Sequence, residues 1–178
     1  MEIRKAANDD LPALLALFAA ARSFMAAQGN PGQWGNDYPP PQLLKEDISK
    51  QGSFVCLHEG KIAASFALLP GPDPDYARLK SGAWRNDSPY FALHRVAAAG
   101  APKGTGTFVV RWCQAQCPNI RGDTHPANTP MQGLFQKCGF LPVGTLTLPT
   151  GGERLAYHYV QPEAAAKPES SNRKPSAF

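Results

Sequence analysis

The segment Pro102-Lys103-Gly104-Thr105-Gly106-Thr107 constrains the fold of this chain more than any other. Before it, residues 90–96 are apolar enough to form a central strand. After it, residues 108–116 suit a helix, although Phe108-Val109-Val110 would serve a strand equally well. Strand, glycine turn and helix in that order predict a mixed α and β domain. Glycines let a backbone approach a ligand closely and leave several N–H groups pointing one way. At a helix N-terminus that arrangement suits a pyrophosphate, because orphan donors and helix dipole act on it together. Lys103 could add a charge-assisted contact. The segment is not a Walker loop, since no GK[ST] follows, and not GxGxxG, since Val109 occupies the third glycine position. Taken by itself it is also compatible with a plain strand-to-helix turn.

The flanking patterns fill in the rest. Residues 2–6 read as a short strand and Asn8 as the N-cap of a helix, with Asp9 and Asp10 in its first turn. Leu11, Leu14, Leu15, Phe18 and Met25 form one apolar stripe at helical spacing, and Pro12 is harmless in a first turn. Residues 29–41 are loop, rich in Gly and Pro, and carry Trp34 and Tyr38. A short helix at 42–50 precedes strands at 53–58 and 61–69 joined by Glu59-Gly60, a two-residue hairpin connection. Residues 70–86 form a second Pro- and Gly-rich crossing with Tyr76 and Trp84. A strand at 119–124 leads to a helix whose stripe is Met131, Leu134, Phe135 and Cys138, stopped by Gly139. Two closing strands fall at 140–148 and 153–160. Residues 1–160 are thus one domain. The tail at 161–178 is Ala, Pro, Ser, Glu and Lys with almost nothing to bury, which predicts disorder.

Charge and cysteines narrow the function classes. The net charge of +4 comes from 18 bases and 14 acids, and the bases never run longer than two. A scattered surplus of this size is no basic stripe, so nucleic acid is not an expected partner. The first residues lack the basic-then-apolar run of a secretory signal, and no uninterrupted apolar stretch approaches the roughly 18 residues of a membrane span. A cytoplasmic protein with reduced thiols is expected. Cys56, Cys113, Cys117 and Cys138 contain no CxxC pair, which favours small buried hydrophobes over a metal site.

Four motifs in order carry a family resemblance. They are Leu93-His94-Arg95-Val96-Ala97, Gly104-Thr105-Gly106, the run from Arg121-Gly122-Asp123-Thr124-His125 through Asn128-Thr129-Pro130-Met131-Gln132, and Lys137-Cys138-Gly139-Phe140. Together with the closing Arg154-Leu155-Ala156-Tyr157 they resemble the GNAT superfamily of N-acetyltransferases over residues 2–160. The resemblance implies a mixed, mostly antiparallel sheet flanked by about four helices and splayed between its fourth and fifth strands, with acetyl-CoA in the opening as cosubstrate. It implies that backbone groups at Val96, Ala97 and Ala98 hold the pantetheine arm. Lys103, Gly104, Thr105, Gly106 and Thr107 would hold the pyrophosphate, and Asn128 would contact the pantetheine. It implies further a monomer or homodimer that transfers acetyl to an amine acceptor, with no metal. Two positions depart from the family pattern: Ala101 opens the phosphate loop, and Phe135 stands where many members carry a proton-donating tyrosine.

Amine acetylation needs a neutral amine held against the thioester, a polarised carbonyl and removal of one proton. The candidate groups are His94, His125 and Asp123. His94 is on the strand where the family often places a base, and its imidazole chemistry suits the task. A structural histidine is the competing reading. Strand alternation predicts that His94 and Arg95 point to opposite faces. His125 follows its strand directly and could instead order the turn through Asp123. Trp34, Tyr38, Trp84 and Tyr157 are candidates for an acceptor wall; for the tryptophans and Tyr38, loop anchoring competes with that role. A non-catalytic coenzyme A sensor with the same fold is the rival function.

Overall fold

A computed structural model describes residues 1–77, 79–98 and 100–162 of the 178-residue chain. In chain order the elements are β1 (Glu2–Lys5), α1 (Leu11–Ala27), α2 (Pro41–Ser49), β2 (Ser53–His58), β3 (Lys61–Pro70) and β4 (Ser81–Gly82). There follow β5 (Phe91–Ala97), α3 (Thr105–Gln116), β6 (Asn119–Thr124), α4 (Thr129–Lys137), β7 (Leu141–Thr147) and β8 (Glu153–Val160). The strands form one sheet in the order β1-β2-β3-β5-β6-β8-β7-β4. Every pairing is antiparallel except β5 with β6. The expected mixed sheet with four helices is present.

The helices divide by face because strand residues alternate. Val55 and Ala97 meet Leu14, Leu17, Phe18, Ala21, Leu44 and Ile48 of α1 and α2. Cys56, Phe66, Leu93 and Ile120 look the other way, onto Val109, Val110 and Cys113 of α3 and Phe135 of α4. Helix α1 and the turn before it are long and apolar enough, by length and composition, to cross a bilayer. In this fold Leu14 and Phe18 of its stripe are instead fully buried against the sheet, each contributing about 1.5–3 kcal/mol of apolar burial. The four cysteines are free and buried. Burial raises their thiols, Cys117 to about 11, so they act as apolar filler.

Three local expectations change. Residues 108–110 are helical, and α3 starts at Thr105, which makes the glycine turn itself the helix N-terminus. Asn8 is not a helix cap. It opens a 3-10 turn, and Asp10 accepts from the Ala7 N–H at 2.8 Å while pairing with Arg4. The crossing at 70–86 contains β4, too short to show a period, which pairs with β7. Of the tail expected to be disordered, all but Gln161 and Pro162 lies outside the described residues. The Gln161 N–H donates to Pro118 O at 2.7 Å.

Candidate active site

The site begins where the sheet stops pairing. Strands β5 and β6 are in register only at Phe91↔Ile120, Ala92↔Arg121 and Leu93↔Gly122. Beyond those pairs the β6-facing backbone edge of His94 to Ala97 has no strand partner. On the other side of β5 the register runs from Ala67↔His94 to Ser65↔Ala97, so three steps on β5 match two on β3. The extra residue is a β-bulge, and Arg95 takes φ 53° there. Bulges bend a strand and increase its twist, which turns β5 away from β6 at this point.

The bulge also corrects the expected alternation. Leu93 and Val96 both pack on the α3 and α4 side. Being three residues apart, they can share a face only if His94 and Arg95 both turn to the other one. Their partners agree. Nε2 of His94 lies 2.7 Å from Asp73 Oδ2. Two guanidinium nitrogens of Arg95 reach one oxygen of Asp47 in α2, at 2.8 and 2.7 Å, and a third donates to the Tyr38 hydroxyl at 3.3 Å. Both basic side chains therefore look into the same space, on the side of α1 and α2.

A second partner bridges the opening. The ring of Tyr76 packs on His94 at 5.4 Å, while its hydroxyl donates to Asp123 Oδ1 at 2.6 Å. His94 and Asp123 are the first residues past the last β5–β6 pair, one on each strand. Tyr76 thus ties the two diverging strands together beneath the gap. Asp123 also lies 3.6 Å from Arg154 Nε, so its carboxylate is committed to support. Burial raises the Asp73 carboxyl, but the His94 hydrogen bond and charge outweigh it and leave it below the usual range. Burial, then Asp73 and Asp123, raise Asp75. Burial raises Asp47 as well, and Arg95 offsets this only in part.

The expected coenzyme side is assembled from α3 and α4. Gly104 precedes α3 at φ 94°, a conformation that favours glycine, and no side chain caps the helix. The Thr105 hydroxyl is spent on Pro102 O at 2.7 Å. The N–H groups of Lys103, Gly104, Gly106 and Thr107 carry no hydrogen bond among the described residues. Lys103 is exposed beside them. Val96 and Ala98 pack toward α3, and Ala97 toward α1. Asn128 caps α4 through Oδ1, accepting from Met131 N–H at 3.1 Å. Its Nδ2 donates to Gln33 Oε1 at 2.8 Å. Gln33 O in turn accepts from Arg154 at 3.2 Å, so the loop between α1 and α2 reaches across to α4 and β8.

The remaining candidates separate. Trp34 packs between Phe18 and Tyr38, with Tyr38 on Arg95, so both stay on the side that His94 faces. Trp84 does not: its indole donates to Tyr76 O at 2.9 Å, and its ring lies on Arg121 and His158. It anchors the segment before β5. Tyr157 is 2% exposed and stacks on Phe135, because it pairs with Gly122 on the α4 side of the sheet. It belongs to the core and not to an acceptor wall. His125 Nδ1 accepts from Ala127 N–H at 3.1 Å, and burial and then Arg154 lower its pKa. That neutral ring orders the turn into α4, through Ala127 and not through Asp123. Sequence reasoning passed over Asp73, Asp47 and Gln33. Asp73 and Gln33 lie in segments without a period, Asp47 is a lone charge on the buried face of α2 that Leu44 and Ile48 share, and each meets its partner from far along the chain.

No protein-family model matches this chain, and no curated protein does. Solved structures do. A GNAT-family acetyltransferase from Streptococcus agalactiae 2603 is 26% identical with a TM-score of 0.84, over 91% of this chain and 96% of that one. A putative acetyltransferase from Staphylococcus aureus Mu50 is also 26% identical, with a TM-score of 0.62 over 90% and 99%. A putative acetyltransferase from Salmonella typhimurium, solved with its cofactor acetyl-CoA, is 15% identical with a TM-score of 0.60 over 93% and 96%. The chain has the fold of the GNAT acetyltransferases.

Proposed function

We propose that this protein is an acetyl-CoA-dependent N-acetyltransferase that acts on a primary amine, of a small molecule or a protein, by direct attack in a ternary complex. The observation that carries the reading is the parted end of β5. There an unpaired strand edge, an uncapped helix N-terminus and a histidine converge on one opening. The free edge from Val96 to the Ala98 N–H offers N–H and C=O groups to the amide-containing pantetheine arm, while the Ala98 C=O accepts from Ala101 N–H at 3.2 Å. The open N–H groups of Lys103, Gly104, Gly106 and Thr107 suit the pyrophosphate, with Thr105 holding the turn between them. Asn128 is held in place by its cap bond and Gln33, with one Nδ2 hydrogen left for the pantetheine. Thr124, the last residue of β6, has a buried hydroxyl without a partner among the described residues, which a ligand in the gap would satisfy.

His94 is the base of this reading. It takes one proton from the amine, directly or through a water, as the nitrogen attacks the thioester carbon and the C–S bond breaks. The thiolate is finally protonated, so amine and thioester give amide and thiol with no net proton change. Trp34 and Tyr38 wall the acceptor side. A cytoplasmic setting fits four free, buried thiols. The sensor reading draws on Phe135, which is buried between Phe140 and Tyr157 and brings no hydroxyl to the gap. The two readings part in one assay. With acetyl-CoA and a panel of primary amines, the enzyme reading predicts amine-dependent release of free thiol, and the sensor reading predicts none above background.

A further inference from the structure

Asp73 holds His94 by an atom whose role is determined. A carboxyl below the usual carboxylate range is ionised at neutral pH and can only accept. The 2.7 Å contact therefore requires His94 to carry its proton on Nε2. Nδ1 is then the nitrogen with a free lone pair, and no hydrogen bond engages it among the described residues. Tyr76, packed on the imidazole at 5.4 Å with the rings tilted by 34° and anchored to Asp123, restricts the ring. Asp73 is itself held, because its other oxygen, Oδ1, caps the turn at 74–76 by accepting from Asp75 N–H at 2.9 Å.

We infer that Asp73 is a positioning residue that sets the tautomer of His94, so that Nδ1 is the atom that receives the amine proton. The inference rests on the acetyltransferase reading for its chemistry and on geometry for the tautomer. The Nδ1–H bond forms as the amine N–H bond breaks. The imidazolium is balanced by the Asp73 carboxylate, and the proton leaves Nδ1 for the thiolate released from the thioester.

The cap makes Asp73→Asn a sharp test. An asparagine that keeps its oxygen on Asp75 N–H must present its NH2 to His94. Nε2 then has to accept, and the proton moves to Nδ1, closing the basic atom. The tautomer is read by 15N NMR of the imidazole, which needs no turnover. The expected result is protonated Nε2 in the wild type and protonated Nδ1 in Asp73→Asn. With it, kcat falls about 10²–10⁴-fold while KM for acetyl-CoA stays the same. Asp73→Ser keeps a capping oxygen too short to reach the ring. It is expected to give mixed tautomers and a kcat between the two. An Asp73→Asn protein whose His94 keeps the Nε2 proton overturns the inference. So does a tautomer that moves while kcat does not. If the wild type acetylates no amine, the acetyltransferase reading fails, and the NMR comparison still decides the tautomer.

Discussion

At the residue scale two glycines and one aromatic ring shape the opening. Gly104 has open space where a Cβ would go, but its φ of 94° strains any L side chain, a cost of about 1–3 kcal/mol. Gly104→Val should therefore lower the melting temperature modestly and weaken acetyl-CoA binding at least about tenfold by turning the N–H fan, as titration calorimetry would show. Unchanged affinity would return the segment to a plain turn. Gly122 is glycine for a different reason: a Cβ there would come within 2.8 Å of Phe135 Cζ. The Phe135 ring is thus pressed against the last residue of β6 that pairs with β5. Phe135, fully buried, serves the core. Which histidine nitrogen is free could not be read from residue type, since it depends on Asp73, whose partner lies 21 positions away.

At the element scale the site rests on a seam between the segment before β5 and strands β6 and β8. His158 is fully buried in it. Nδ1 accepts from Arg85 N–H at 3.1 Å, Nε2 meets Asn119 Oδ1 at 2.6 Å, and Asn119 Nδ2 donates to Asn86, Ser88 and Pro89. Burial, followed by Arg121 and Arg85, lowers the His158 pKa to about 4. The folded state then binds fewer protons than the unfolded state between about pH 4 and 6.5. The contribution is complete above the unfolded value, is lost as pH falls through that window, and is flat below it. It amounts to something on the order of 3 kcal/mol. Urea unfolding at pH 7 and pH 4.5 checks this. His158→Gln, which can donate to Asn119 and accept from Arg85, should show a smaller loss between the two pH values than the wild type. An equal loss in both would assign the pH dependence to other groups. Helices α1 and α4 and the β2–β3 hairpin were legible, because their stripes and the turn at Glu59-Gly60 are local patterns. The direction of Arg95 was not, since a bulge is a relation between two strands and leaves no mark on either alone.

At the scale of the whole molecule the fold is an opening held at a set width. One parallel pair ends after three residues, a bulge turns β5 aside, and Tyr76 links the far side back to Asp123. The order of motifs along the chain made this architecture readable by resemblance, whereas no periodicity announces a splay. Networks that cross the gap, such as Gln33 to Asn128, became visible only with the strands in place. The central claim is that the opening binds acetyl-CoA. Thermal unfolding with and without millimolar acetyl-CoA tests it most directly, because a ligand bound only by the folded state stabilises it by mass action. At about 100 times Kd the gain is about 2.7 kcal/mol, or roughly 5–10 °C for a domain of this size. The account predicts that rise, saturating with acetyl-CoA concentration; a melting temperature that does not move at millimolar acetyl-CoA would contradict it.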